Sequence, residues 1–188
     1  MNFSHKHTTT ADLVFPGEGI RQHTVLIAFS TILIALCARI EIPMQPVPIT
    51  GQTFGVLFIA ALLGANRAAA AIMSYLMVGA AGLPVFAGGA AGIHVFAGPT
   101  GGYLIGFLFA AYLVGYLSER GWDQKFWYAV ISMTLGTLVI FLFGVIGLVR
   151  FTGTEQVLQL GVIPFLPGAA IKVGLAATLL PQGRRFFS

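Results

Sequence analysis

The chain has 188 residues, of which 57% are hydrophobic and only 9% are charged, a composition that excludes an ordinary soluble globular domain. A mean hydropathy of +0.89 indicates an integral membrane protein. The net charge of +4 does not indicate nucleic-acid binding, because the basic residues form no patch interleaved with aromatic side chains. The single cysteine, Cys37, lies in an apolar run, so we expect no disulfide framework, no metal site and no cofactor.

Six apolar segments follow a polar N-terminal stretch, and each is predicted to cross the membrane as a helix. Residues 1 to 22 lack the apolar core of a signal peptide and are predicted to form a cytoplasmic tail or a short surface segment. A single membrane domain is expected over residues 23 to 182, with a basic tail over residues 183 to 188. The predicted spans are Thr24–Ile42, Phe54–Leu63, Ala68–Ala81, Tyr103–Leu117, Phe126–Leu148 and Gly168–Leu180.

Several of these spans are shorter than the roughly 20 apolar residues that an upright helix needs to cross a bilayer. The segments between them are rich in proline and glycine: three prolines lie in residues 43 to 48, and seven glycines lie in the uncharged stretch 82 to 103. Irregular backbone at membrane depth is tolerated where protein covers it or where it lines a cavity. A ligand cavity at one face is therefore predicted, although such glycines can also form a tight turn that only packs helices.

The basic residues predict the orientation of the spans. With both termini in the cytoplasm, seven basic residues fall on the cytoplasmic side and only Arg39 and Arg150 lie near the outer ends. The proline- and glycine-rich loops then meet on the extracellular side of the cytoplasmic membrane. The seven cytoplasmic positions are Lys6, Arg21, Arg67, Arg120, Lys125, Arg184 and Arg185.

Lys172 is the one basic residue inside a predicted span, about one turn after Gly168. Its ammonium can pair with a carboxylate of a ligand near the N-terminal end of the last helix, where the helix dipole also favours an anion. Alternatively, the side chain extends to the outer headgroups. Replacement of Lys172 by alanine separates the two interpretations: the first predicts a loss of ligand affinity, and the second predicts little change.

The other polar groups expected at the outer face are neutral, and they suit a ligand with an amide- or urea-like head. They are Thr50, Gln52, Thr53, Thr100 and Tyr103, with Phe86, Phe96 and Phe165 as candidate apolar walls. No phosphate-binding loop, nucleophile elbow or zinc-binding HExxH pair occurs, and His94 is a lone histidine, so we do not expect an enzyme.

Four segments in the same order resemble the BioY family, the biotin-binding membrane component of bacterial vitamin uptake systems. The segments are PVPITGQTFGVL at 46–57, GLPVFAGG at 82–89, GPTGGYLIGF at 98–107 and GVIPFLPG before Lys172. The resemblance implies an all-α S component of an energy-coupling factor (ECF) transporter, with six transmembrane helices. It also implies biotin as the ligand, and as partners a transmembrane coupling protein and two ATPase subunits. The predicted substrate-binding residues are Gln52, Thr53, Phe86, Gly88, Gly89, Thr100, Tyr103 and Lys172.

One position departs from the family pattern, which usually has an aspartate after the Pro-Gly pair, where this chain has Ala169. Either affinity is lowered or another group, such as Gln52 or His94, makes the contact. The small residues Thr31 and Ala35 lie four apart on the first span and are candidates for docking the coupling protein, although such pairs also pack helices within one protein. Two other functions remain open: an S component for another vitamin, or a membrane scaffold or enzyme with an outer cavity.

Overall fold

The structure is a computed structural model that describes residues 9–14 and 19–187. Within these residues one short helix precedes six long ones, so the predicted number of long helices is confirmed. Residues 1–8, 15–18 and 188, which include Lys6 and much of the predicted N-terminal segment, lie outside the described residues. The helices are α1 (Thr10–Val14), α2 (Ile20–Arg39), α3 (Gln52–Leu63), α4 (Ala65–Ala80), α5 (Gly101–Ser118), α6 (Phe126–Gly161) and α7 (Leu166–Phe187).

The composition of the helices and the exposure of their side chains identify a membrane protein. By length and hydropathy, Ile20–Arg39, Gly101–Ser118 and the stretch Phe126–Phe186 are each able to cross a membrane, and Gln52–Leu63 is a shorter apolar helix. Large apolar side chains cover the outside of the bundle, as lipid contact requires. On α2, for example, such exposed side chains recur along one face, at Val25, Phe29, Ile32 and Leu36.

Successive long helices run in opposite directions, which gives the bundle two ends. We call the end at which α3, α5 and α7 begin the pocket end, and the other the opposite end. A two-stranded antiparallel hairpin, β1 (Glu41–Ile42) and β2 (Ile49–Thr50), lies at the pocket end between α2 and α3. Short 3-10 turns at Ala87–Gly89, Ile93–Ala97 and Ile163–Phe165 complete this end.

Helix α5 lies at the centre of the bundle, in contact with α3, α4 and α6. Glycines allow its backbone to approach α6 closely: a Cβ added at Gly147 would lie 2.8 Å from Cα of Gly102. Side chains with a Cβ cannot pack at that distance, so the close approach of α5 and α6 at this point depends on these two glycines.

The short helix α1 is held at the opposite end by polar contacts. Asp12 pairs with Arg67 of α4 at 2.5 Å, and it also accepts hydrogen bonds from the backbone and side chain of Thr9. Burial by itself raises the pKa of the Asp12 carboxyl, but the Thr9 and Arg67 contacts outweigh it and hold that pKa below its usual value. The carboxylate is therefore charged at neutral pH, and α1 is tied to the bundle.

The predicted end of the first span is wrong by three residues, and its start is four residues late. The helix was predicted to run to Ile42 and to be ended by Pro43, but α2 ends at Arg39 and the next residues enter the hairpin, where Glu41 pairs with Thr50. Gly51 lets the chain return close to the end of α2, where its N–H donates to the carbonyl oxygen of Ile40 at 2.8 Å, because an added Cβ would lie 2.7 Å from the carbonyl oxygen of Cys37. Pairing with β2 thus ends the helix before proline does.

The predicted end of the fifth span and both predicted ends of the sixth span are also wrong. Helix α6 does not end at Leu148 but continues to Gly161, with one non-helical residue at Gly153, because the polar residues after Leu148 are compatible with a helix. Helix α7 begins at Leu166 and runs through Pro181 into the basic segment. The third long helix, α4, begins at Ala65, three residues before the predicted start at Ala68. Gly64 alone makes the turn from α3, with a φ of 82°.

Candidate functional site

A cavity of about 160 Å³ lies at the pocket end, between the hairpin, the glycine-rich segment, the first turns of α3 and α5 and the second turn of α7. Its walls are mainly apolar, with a few polar groups, which is the usual character of a small-molecule site. All six polar or charged residues predicted for the outer face line it: Thr50, Gln52, Thr53, Thr100, Tyr103 and Lys172. Its aromatic walls are Phe86, Phe107, Phe141 and Phe165.

The Lys172 ammonium points into the bundle and is half-buried. Nζ donates to the carbonyl oxygen of Thr50 at 2.5 Å and to Oγ1 of Thr53 at 2.9 Å. This inward position differs from the extended one that contact with headgroups would require. An ammonium has three donors, so one remains for a ligand when both protein acceptors are kept.

Helix dipoles add to this positive charge. Helix α3 begins at Gln52 and α5 at Gly101, and residues of both first turns line the cavity, as does Phe165, which directly precedes α7. The N-terminus of a helix carries partial positive charge and favours an anion. Lys172 is itself six residues, or about 9 Å, from the start of α7. The dipole of a helix acts most strongly in its first turn, and Lys172 lies beyond the first turn of α7. The dipole of α7 therefore stabilises an anion beside Lys172 less than we expected.

Gln52 is buried in the first turn of α3, and its amide already has protein partners. Oε1 accepts from Oγ1 of Thr50 at 3.1 Å, and Nε2 donates to the hydroxyl of Tyr75 at 2.6 Å. An amide offers one further donor and one further lone pair. Gln52 thus has a fixed orientation and spare capacity for a polar ligand group.

Tyr103 joins α5 to the end of α6. Its hydroxyl donates to the carbonyl oxygen of Gly161 at 2.6 Å, and its ring lies 6.1 Å from that of Phe165. Because its proton is used, the hydroxyl can only accept from a ligand in this arrangement. Phe165 also contacts Phe141 edge to face at 6.3 Å, so α5, α6 and the turn before α7 form one aromatic wall.

Phe86 forms the facing wall and is almost fully buried. Its ring packs edge to face on Tyr75 at 5.5 Å and on Phe96 at 5.8 Å. Phe96 therefore supports the wall, although it is not among the residues that line the cavity. Gly79 of α4 leaves the space that the Phe86 ring occupies, because an added Cβ would overlap the ring.

Gly88 and Gly89 lie beside the cavity but are not among the residues that line it. Both have positive φ, 64° and 73°, so they shape the turn that carries Phe86. The backbone N–H of Gly88 donates to Oε2 of Glu41 at 2.6 Å. Arg39 holds the same segment by donating to the carbonyl oxygen of Pro84 at 2.5 Å. Their direct role in binding stays a prediction.

Ala169 lines a narrow groove that adjoins the cavity and shares Thr53 and Lys172 with it. A carboxylate at this position would lie on the same groove as the Lys172 ammonium. Of the two residues considered as its replacement, Gln52 lines the cavity, whereas His94 is exposed on a 3-10 turn and is not among the lining residues.

Sequence reasoning missed two aromatic residues that line the cavity, Phe107 and Phe141, and one that lies behind it, Tyr75. Phe107 was detectable, because it follows Thr100 and Tyr103 at the spacing of one helical face. Phe141 and Tyr75 lie in the middle of apolar helices, where no pattern separates a pocket residue from a lipid-facing or core residue. Their roles follow from packing alone.

The two residues predicted to dock a partner lie on the side of α2 that packs within the bundle. Oγ1 of Thr31 donates to Ile27 O at 2.9 Å and is 3.3 Å from Ala71 O of α4. Ala35 is partly buried against the core. Both therefore contribute to internal packing, and docking on them stays a prediction.

Comparisons with known proteins extend over most of the chain. Biotin transporter BioY of Rhizobium etli is 37% identical over 164 residues, which cover 83% of this chain and 88% of that protein. The BioY proteins of Thermotoga maritima and Rhodobacter capsulatus are 37% and 36% identical, over 79% and 87% of this chain and 88% and 95% of their own lengths.

The fold has a counterpart among solved structures. A crystal structure of the S-component for biotin from an ECF-type ABC transporter superposes with a TM-score of 0.79 at 27% identity, covering 90% of this chain and 95% of that one. The family model described as BioY family matches residues 6–188. With sequence match and architecture in agreement along its length, this chain belongs to the BioY family.

Proposed function

We propose that this protein captures biotin at the extracellular face of the cytoplasmic membrane, as the substrate-specific component of an ECF-type transporter. Its BioY-family relatives are biotin transporters, and a protein of the same architecture is the S-component for biotin. The observation that carries the proposal for this chain is the cavity at the pocket end, with Lys172 on one wall and neutral polar groups around it.

The chemistry of the cavity fits the two ends of biotin. A carboxylate is matched by the Lys172 ammonium and by the N-termini of α3 and α5, whose first turns line the cavity. The cyclic urea needs donors and acceptors, which Gln52, Thr100 and Tyr103 supply, and the apolar middle of the molecule fits among Phe86, Phe107, Phe141 and Phe165. The protein acts by binding, and catalysis by it is not part of the proposal.

Energy for uptake comes from partners in this proposal. The sequence carries no nucleotide-binding motif, so a transmembrane coupling protein and two ATPase subunits would supply ATP hydrolysis. Docking would involve α2, where Thr31 and Ala35 sit beside a face of exposed apolar side chains. Both termini lie in the cytoplasm, so that the pocket end opens outward.

The proposal is tested by titrating the detergent-purified protein with biotin and with biotin amide, which lacks the carboxylate charge. We expect Lys172→Ala to weaken biotin binding by about 2 kcal/mol, or thirtyfold, because it removes a charge-assisted contact. The same substitution should leave the weaker binding of biotin amide nearly unchanged, since no charge pair is then lost.

Lys125→Ala is the matched control, because Lys125 is exposed at the start of α6, at the opposite end from the cavity. It should bind both ligands as the unmodified protein does. Equal weakening of biotin and biotin amide by Lys172→Ala would contradict the pairing of this lysine with the carboxylate.

Ala169 supports a second candidate, an S component for another vitamin. This residue lies beside Lys172 in the groove where the family usually has an acid, so the contact that the acid would make is absent. Failure of the unmodified, folded protein to bind biotin, together with binding of another vitamin in a competition series, would favour this candidate. Restored biotin affinity in Ala169→Asp would identify the position responsible.

A further inference from the structure

Tyr75 lies directly behind the cavity, in α4, and its side chain is completely buried. Its hydroxyl oxygen is 2.6 Å from Nε2 of Gln52 and 2.9 Å from the carbonyl oxygen of Val85. A phenol has one proton, and an amide nitrogen only donates, so Tyr75 accepts from Gln52 and donates to Val85. One hydroxyl thus connects α3 to the glycine-rich segment.

Both partners of this hydroxyl shape the cavity. Gln52 lines it, and Val85 directly precedes Phe86, which forms one of its walls. The ring of Tyr75 also supports Phe86 through their edge-to-face contact. The position of the polar amide and the position of the aromatic wall therefore depend on the same side chain.

The hydrogen bonds continue from Gln52 to Lys172. Oγ1 of Thr50 donates to Oε1 of Gln52 at 3.1 Å, and the carbonyl oxygen of Thr50 accepts from Nζ of Lys172 at 2.5 Å. A connected set of polar groups thus runs from the lysine through Thr50, Gln52 and Tyr75 to the backbone of Val85. In such a set the orientation of each member is fixed by the next.

We propose that Tyr75 is a positioning residue for ligand binding, whose hydroxyl holds both the Gln52 amide and the Val85–Phe86 corner in the binding arrangement. It acts through these groups and does not contact the ligand, since it is not among the residues that line the cavity. The inference rests on the proposed function for its ligand, biotin, but its structural part does not need a ligand.

Tyr75→Phe tests the inference, because it removes the hydroxyl and keeps the ring against Phe86. We expect biotin to dissociate about tenfold faster, because the hydrogen bonds that hold the Gln52 amide and Val85 are both lost, with an association rate within about twofold of the original. In the ligand-free protein, the backbone amides of residues 85–92 should exchange hydrogen faster, because the segment has lost its anchor at Val85.

Gln52→Met separates the two roles of the hydroxyl. It removes the amide but leaves Tyr75 free to donate to Val85, so biotin binding should weaken while exchange in residues 85–92 stays as in the unmodified protein. Tyr112→Phe is the control for loss of a phenol, because Tyr112 lies on α5 with half of its side chain exposed. It should change neither measurement.

Tyr75→Phe leaves the buried Nε2 donor of Gln52 without its acceptor, which can itself prevent folding. The double variant with Gln52→Met removes that unpaired group and still lacks the bond to Val85. Faster exchange in residues 85–92 than in Gln52→Met alone is then expected, and equal exchange would overturn the inference. Unchanged dissociation and exchange in a folded Tyr75→Phe would also overturn it. Absence of biotin binding by the unmodified protein would count against the proposed function alone, since the exchange measurement uses no ligand.

Discussion

The absence of a side chain at Gly79 determines the position of one wall of the cavity. The residue lies in α4 facing the ring of Phe86, and a Cβ there would overlap three ring atoms. Its carbonyl oxygen also accepts a hydrogen bond from the N–H of Gly92 at 2.7 Å, which fixes the glycine-rich segment over the helix. The absence of a side chain thus allows both the ring and the segment to lie on α4.

Gly79→Ala is expected to affect binding more than stability. Alanine favours a helix over glycine by about 1 kcal/mol, and this gain offsets part of an overpacking cost of about 1–3 kcal/mol. The displaced Phe86 ring should enter the cavity and lower biotin affinity at least tenfold. Equilibrium unfolding in mixed micelles and ligand titration measure the two effects separately.

Gly174→Ala is the matched control, because an added Cβ in this part of α7 meets no atom within 4 Å. It should gain the helix propensity without any loss of binding. Equal affinities for the Gly79 and Gly174 variants would mean that the Phe86 ring moves without narrowing the cavity.

At the scale of elements, the break in α6 brings its last two turns into contact with the site. Gly153 has φ 73° and ψ 169°, a backbone conformation essentially restricted to glycine. The helical segment after it ends at Gly161, whose carbonyl oxygen accepts the hydrogen bond from Tyr103. A straight α6 would place this carbonyl elsewhere, so the break and the orientation of Tyr103 depend on each other.

Gly153→Ala should destabilise the protein by about 1–3 kcal/mol through backbone strain alone, because an added Cβ meets nothing within 4 Å. Gly183→Ala in α7 has equally open surroundings and a helical backbone, and should be neutral or slightly stabilising. The measurement is equilibrium unfolding in mixed micelles. A gain in stability from Gly153→Ala would indicate that α6 runs straight through this position.

For the whole molecule, the number of long helices and the polar residues that line the cavity could be predicted from the sequence. Each apolar run requires one helix, and alternating helix directions bring loops that are distant in sequence to one end. Thr50, Thr100 and Lys172 therefore meet as expected. Helix ends were less predictable, because α6 resumes after its break at Gly153 and α7 continues through Pro181, whereas α2 already ends at Arg39. Tyr75 and Phe141 depend on helix rotation, which apolar runs do not encode.

The orientation of the molecule in the membrane is the property on which outward capture depends. Six of the described basic residues belong to the opposite end, where Arg67 pairs with Asp12 and Arg184 with Asp123, whereas Arg39 holds the loops of the pocket end. Because cytoplasmic loops retain an excess of lysine and arginine, the pocket end should face outward. Those six residues are Arg21, Arg67, Arg120, Lys125, Arg184 and Arg185.

Cysteine labelling measures this orientation directly. In a Cys37→Ala background, which removes the only native cysteine, we expect a membrane-impermeant maleimide to label Glu155→Cys in right-side-out vesicles and Lys125→Cys in inside-out vesicles. Both positions are exposed: Lys125 directly precedes α6 at the opposite end, and Glu155 lies in the part of α6 that reaches the pocket end. Labelling after detergent permeabilisation controls for reactivity. The reverse pattern would place the cavity on the cytoplasmic side, and capture of an external vitamin by this face would then be ruled out.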